Sequence, residues 1–290
     1  MLMTLNKVFQ FKIHLSKVII IIIFNILQKT KLGPIHIGLL CAMPEEIGLT
    51  KRNLKNIVER SFGDFIIFSG KWKNLKNFEQ DIYVSLAWSG WGKVSSSRAA
   101  TRMIASPFNN MPLDFILFTG VAGAAKSELK QWDIIIPNKL VQHDMDASPL
   151  FLKYVIPSIN KKNLYQDLEW FNWANNTISD SLKNNKLKSF GKLRNGLVAS
   201  GDQFINDISI INKLSKELKN LSAVEMEGAA VAQVAIQEKI PFLIIRVISD
   251  SADDSASQNF NDFLKIYEKE SCRLIEILIN NLNESPLKIY

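Results

Sequence analysis

The chain is poor in the side chains that disulfides and metals require. Its 290 residues include two cysteines, Cys41 and Cys272, with no CxxC pair and too few for a disulfide framework. That usage is compatible with a reducing compartment. Three histidines are present, His14 lies near the start, and no HxH or HExxH spacing occurs. The run of His143, Asp144 and Asp146 is therefore not read as a metal site. Acidic residues are missing from 1–33, which carry Lys7, Lys12, Lys17, Lys29 and Lys31. Those five lysines account for most of the net charge of +7, and the nearly neutral remainder has no basic stripe. A nucleic-acid partner is excluded on that ground. No apolar run approaches the roughly 20 residues of a bilayer span; the longest near the start, Val18 to Leu27, is ten residues and contains Asn25.

The first 33 residues stay open to three readings. Three lysines ahead of an apolar run resemble the start of a secretory signal, but no small-x-small cleavage site follows in "QKTKLGP". A disordered or loosely docked extension, a weak membrane-surface anchor and export are the alternatives, and a cytoplasmic location is the working expectation. Beyond them no linker or internal repeat divides the chain, so 34–290 is expected to form one domain.

In that remainder short apolar runs alternate with helical patterns. "IHIGLL" (35–40), "DFIIF" (64–68), "DIYVSLAW" (81–88), "LDFILFTG" (113–120), "DIIIP" (133–137), "KLVQHDM" (139–145), "NGLVAS" (195–200) and "PFLIIRVIS" (241–249) read as strands. Several are apolar at successive positions, as when helices cover both sheet faces. Residues 94–105, 163–184, 208–221, 226–239 and 260–282 read as helices. The alternation predicts an α/β fold, a three-layer α/β/α sandwich with a mixed central sheet.

Four turns after predicted strands can carry chemistry. In "LLCAMPEEIG", Pro44, Glu45 and Glu46 would also make an ordinary helix start. "AWSGWGKVSSS" offers Ser89 and close backbone approach at Gly90 and Gly92, but no dinucleotide fingerprint, since no third glycine arrives in register. Its Trp88 and Trp91 are expected in the core rather than against a flat base. "TGVAGA" (119–124) reads as a strand leading into a glycine turn. "SAVEMEGAAVAQVA" (222–235) sets Glu225 and Glu227 at the head of an apolar helix, where a carboxylate is costly unless hydrogen-bonded or functional, with Met226 between them. "RVISDSADDSA" finishes a buried strand with Asp250, Asp253 and Asp254, as helix caps or as a carboxylate held at a strand's carboxyl end. Taken together, Glu46, Ser89, Glu227 and Asp250 fall near strand ends of one sheet. Separate acids, one to protonate a leaving group and one to activate water, are what glycosidic hydrolysis needs.

"IGLLCAMPEEI", "SGWGKVSSSRAA", "TGVAGA...WDIIIP", "HDMD", "GLVASGDQFI", "AVEMEGAAVA" and "VISDSAD...F" occur in an order that resembles the 5′-methylthioadenosine/S-adenosylhomocysteine nucleosidases of the purine nucleoside phosphorylase/hydrolase superfamily. The resemblance runs from about Ile35 to Leu282. It implies that Asp250 is the acid that protonates adenine N7, a role partial burial would favour. It implies that Glu46 activates the attacking water with help from Ser89 and Arg246, and that Glu227 binds the ribose hydroxyls. Phe204 and Ile205 would pack on adenine, Met226 beneath ribose and base, and Met43 and Phe260 beside the 5′-substituent. A homodimer is implied, with no metal or organic cofactor. Asp253 and Asp254 would then cap the last helix or support Asp250. The segment "PLFLKYVIPSINKK" after "HDMDAS" departs from the family's Gly-, Tyr- and Gln-containing stretch, and Pro44 stands where a third acid is common. Rival readings are a phosphate-dependent phosphorylase, a hydrolase of another adenine nucleoside such as aminodeoxyfutalosine, and a non-catalytic nucleoside-binding module.

Overall fold

Nine strands hydrogen-bond in the order β2-β3-β4-β1-β5-β8-β7-β6-β9, and β9 also pairs with β5. The ranges are β1 Ile35–Cys41, β2 Leu54–Phe62, β3 Phe65–Trp72, β4 Ile82–Trp88, β5 Phe115–Ala124, β6 Ile134–Gln142, β7 Leu193–Ser200, β8 Leu221–Glu225 and β9 Phe242–Asp250. This is a computed structural model that describes residues 33–73, 80–250 and 256–287; residues 1–32 and the acids Asp253 and Asp254 lie outside it. The β5–β9 pairing closes β5, β8, β7, β6 and β9 into a ring, while β1 to β4 extend from β5 as an open sheet. Parallel pairs (β1–β4, β1–β5, β5–β9, β6–β7, β7–β8) outnumber antiparallel ones, so the sheet is mixed, as expected.

Helices cover both faces: α1 Pro44–Ile47, α2 Lys93–Ile104, α3 Leu168–Lys183, α4 Ile208–Glu217, α5 Gly228–Glu238 and α6 Ala256–Asn280. Alternation along β1 divides the core. Ile35, Ile37, Leu39 and Cys41 face one cluster with Trp170, Ala174 and Ile178 of α3 and Phe263, Tyr267, Leu274 and Leu278 of α6. Leu40 faces the other, with Ala99, Ala100 and Met103 of α2 and Ala229, Val231, Ala232 and Ala235 of α5. Every residue of β1 is buried, which is why its apolar run lacks alternation. Among the described residues no helix is long and apolar enough to cross a membrane.

Four local expectations need correction. "DIIIP" and "KLVQHDM" form one strand, because β6 carries its proline at a register shift between Pro137 and Lys139, where a missing N–H costs no ladder bond. "TGVAGA" holds no turn: the strand that enters it continues to Ala124, so all six residues finish β5. Strands β2 and β8 went unread: β2 is an edge strand with mostly exposed residues, and β8 spans five residues next to a helix.

Candidate active site

The carboxyl ends of β1, β5, β8 and β9 surround a cleft of about 570 Å³, counting its solvent-open part. Glu46, Glu225, Glu227 and Asp250 line it, with Met43, Met226, Phe204, Ile205 and Phe260 on its apolar walls. Such a depression at strand ends is where open α/β sheets bind ligands.

Glu46 is placed by the turn that leaves β1. Pro44 starts the short α1, and its fixed φ suits a first helical position. Glu46 Oε2 accepts the Ala42 and Met43 N–H groups at 2.8 and 2.9 Å, and Oε1 accepts the Val121 N–H of β5 at 2.8 Å. Burial pushes its carboxyl up, opposed by Arg246 and by those three N–H groups. Ser89 and Gly90 do not line the cleft. Their N–H groups donate to the Cys41 and Ala42 carbonyls at 2.9 and 3.0 Å, so they brace the turn that holds Glu46.

Glu225, at the end of β8, is a buried hub. It accepts Arg246 Nε at 3.0 Å and Nη2 at 2.5 Å, the Ser200 hydroxyl, and the N–H groups of Glu227 and Gly228 at 3.1 and 2.7 Å. Arg246 is fully buried on β9, behind the cleft lining, and its Nη1 makes no hydrogen bond among the described residues. Gly120 makes room for both catalytic-side charges: a Cβ there would sit 2.4 Å from Glu46 Oε1 and 2.7 Å from Arg246 Nη1. Gly120→Ala is therefore expected to destabilise the fold by roughly 1–3 kcal/mol through overpacking. Calorimetric melting checks this; an unchanged transition would mean that the two side chains yield freely.

Glu227 precedes α5 and accepts the Gly92 N–H at 2.7 Å through Oε1. Burial, then the neighbouring Glu225, push its carboxyl up to about 8, against the pull of Arg246 and Gly92. One arginine cannot balance three buried carboxylates, and that shortage of positive charge is what the rise reflects.

Asp250 ends β9 across a register shift, Ile248 pairing with Ala122 and Asp250 with Gly123. The extra residue turns both Ser249 and Asp250 toward the cleft, as bulges re-aim side chains. Ser249 Oγ donates to Asp250 Oδ2 at 2.5 Å. Phe204 and Phe260 meet edge to face at 6.2 Å between centroids.

The cleft thus gathers Glu46, Glu225, Glu227, Asp250, Met43, Met226, Phe204, Ile205 and Phe260 from the sequence-predicted set; half-exposed Ser89 and Gly90 and buried Arg246 are not among its lining residues. Sequence reasoning missed Val121 and Ser249, and assigned Trp91 to the core, whereas it lines the cleft at 53% exposure. A tryptophan between two glycines was the available signal. Among the described residues no group of three His, Cys, Asp or Glu could hold a metal ion.

A mixed α/β sheet whose strand ends offer carboxylates and aromatic walls defines an enzyme cleft for a small ring-bearing molecule. Residues 36–280 match the family model described as the phosphorylase superfamily, and the chain belongs to that superfamily and, within it, to the 5′-methylthioadenosine/S-adenosylhomocysteine nucleosidase family. The nucleosidase of that name from Buchnera aphidicola subsp. Acyrthosiphon pisum (strain Tuc7) is 32% identical over 247 residues, 85% of this chain and 98% of the relative. The Neisseria meningitidis nucleosidase, solved in complex with methylthio-immucillin-A, superposes with a TM-score of 0.73 at 28% identity, covering 85% of this chain and 99% of that one. A futalosine hydrolase mutant of Helicobacter pylori strain 26695 superposes equally well, 0.73 at 30% identity, over 86% and 100% of the two chains.

Proposed function

We propose that the chain is an N-ribosyl hydrolase that cleaves the N-glycosidic bond of an adenine nucleoside thioether, 5′-methylthioadenosine, S-adenosylhomocysteine or both, releasing adenine and the ribosyl product. The observation that carries the reading is the convergence of Glu46, Glu227 and Asp250 on one cleft. Asp250 shares the cleft with Phe204 and Phe260, whose rings suit a purine, and serves as the acid that gives N7 its proton. Glu46, with its proton affinity raised by burial and its orientation set by three N–H groups, takes the proton of the attacking water. Glu227 binds the ribose hydroxyls, and its negative form stabilises positive charge as it develops on the sugar. Glu225 neutralises Arg246 and fixes the start of α5, so its part is to place Glu227. Residues 34–290 act as one domain in this reading. Trp91 and Phe204 line the cleft yet are 53% and 40% exposed, which suits a wall completed by a second copy in a homodimer. Both cysteines are free and buried, which fits a cytoplasmic setting.

Water rather than phosphate is the expected nucleophile, because buried carboxylates around the sugar repel a phosphate dianion. Adenine release from methylthioadenosine should proceed at the same rate with and without inorganic phosphate. Strict dependence on phosphate would turn the reading into a phosphorylase. The likeness to futalosine hydrolase and the unusual 147–160 segment make aminodeoxyfutalosine a required member of the substrate panel.

A further inference from the structure

We infer that Lys93, Asp144 and Asp202 form a positioning clasp that fixes Glu227 through the Gly92 N–H; the inference rests on the nucleosidase reading above. None of the three lines the cleft. Their hydrogen bonds close a ring: the Lys93 N–H donates to Asp202 Oδ1 at 2.7 Å, the Asp202 N–H to Asp144 Oδ2 at 2.9 Å, and Lys93 Nζ to Asp144 Oδ1 at 2.6 Å. The ring joins three segments distant in sequence: the first turn of α2, the loop after β6, and the loop after β7 that continues into Phe204 and Ile205.

Gly92 leads directly into the ring at Lys93 and packs against Asp202. Its φ of 91° is open to glycine and strained for other residues, and a Cβ would lie 2.9 Å from Asp202 Oδ1. In that conformation its N–H points at Glu227 Oε1, 2.7 Å away. Lys93 Nζ also reaches Gln142 Oε1 at 3.3 Å, and Gln142 Nε2 donates to Gln233 Oε1 at 2.7 Å, so the same ammonium is tied to α5, the helix that Glu227 begins. The Lys93 and Asp144 side chains are only 17% and 32% exposed, which sets the pair apart from a solvated surface ion pair. Burial alone would raise the Asp144 carboxyl, yet Lys93 and the Asp202 N–H hold it below its ordinary value, as expected of a committed ring member. Glu227 has no other hydrogen-bond partner for its carboxylate among the described residues, so its aim depends on where Gly92 stands.

The test compares wild type, Lys93→Met, Lys93→Arg, Asp144→Asn and the Lys93→Met/Asp144→Asn double variant, all as full chains, with folding followed by thermal melting. Two substrates are used, methylthioadenosine and its analogue lacking both ribose hydroxyls. On methylthioadenosine, Lys93→Met is expected to lower kcat by roughly 10–100-fold, the scale of a small misplacement. Lys93→Arg should restore most of that loss, and the double variant should be no worse than the poorer single one. On the analogue, which has no hydroxyls for Glu227 to hold and keeps only its charge interaction with the sugar, Lys93→Met should cost several-fold less in kcat than on methylthioadenosine. Equal losses on both substrates, or kinetics unchanged by Lys93→Met, would overturn the clasp while leaving the nucleosidase reading intact. If Asp144→Asn fails to fold, the Lys93 pair decides alone. A wild type that releases no adenine from any nucleoside overturns both readings.

Discussion

Asp250→Asn is expected to lower kcat for adenine release by about 10²–10⁴-fold, the range a positioned general acid supplies. Adenine is a poor leaving group as an anion and an easy one once N7 carries a proton. Asparagine can still donate a hydrogen bond to N7, so KM should stay within a few-fold, but it has no proton to surrender. Folding should survive, because the amide oxygen can accept the Ser249 hydroxyl that now donates to Oδ2. Single-turnover adenine release beside a melting curve separates the two effects. A variant that folds and turns over within tenfold of wild type would remove Asp250 from the acid role.

Glu227→Gln should move activity and stability in opposite directions. Above pH 8, where Glu227 is ionised, the loss of its negative charge beside the ribose is expected to cost about 10²–10³ in kcat, as for other groups that meet developing charge. Stability follows from the raised carboxyl, about 8 when folded against an ordinary 4.5. The folded state binds the extra proton between those values, so wild-type stability falls as pH rises from about 4.5 to about 8 and is level above. Glutamine carries no charge to bury. The variant should therefore match wild type below pH 4.5 and exceed it at pH 8, by roughly 2–4 °C in Tm for each kcal/mol of penalty removed. Melting curves at both pH values check the sign. A variant less stable than wild type at pH 8 would mean that the hydrogen bond to Gly92 outweighs the burial of charge.

Much of this was legible before any coordinates. The strands buried on both faces announced themselves as unbroken apolar runs, and the helices by their period. Edge strand β2 did not, because a strand with one partner and solvent beside it has no reason to be apolar. The acids were readable where each sat against apolar neighbours, since a carboxylate there needs a purpose. What could not be read was the part played by backbone. Three N–H groups orient Glu46 and one orients Glu227, and an N–H leaves no mark on the residue alphabet. The backbone part of Ser89 was equally hidden: its hydroxyl drew attention, while its N–H, donated to Cys41, braces the turn that holds Glu46. Trp91 was misjudged because tryptophan usually signals interior packing, and the rim of an aromatic cleft looks the same in one dimension.

Strand β5 joins the other three strands whose ends surround the cleft. It pairs with β1, β8 and β9, and its Gly120 and Val121 abut Glu46 directly. The acid, the hub carboxylate and the water-activating group are thus all measured from a single ruler. Inserting one residue into it would turn Val121 to the opposite side and offset all three neighbours at once. The loops around the cleft can lengthen without moving the acids, whereas the spacing from Phe115 to Ala124 is a dimension this chemistry holds fixed.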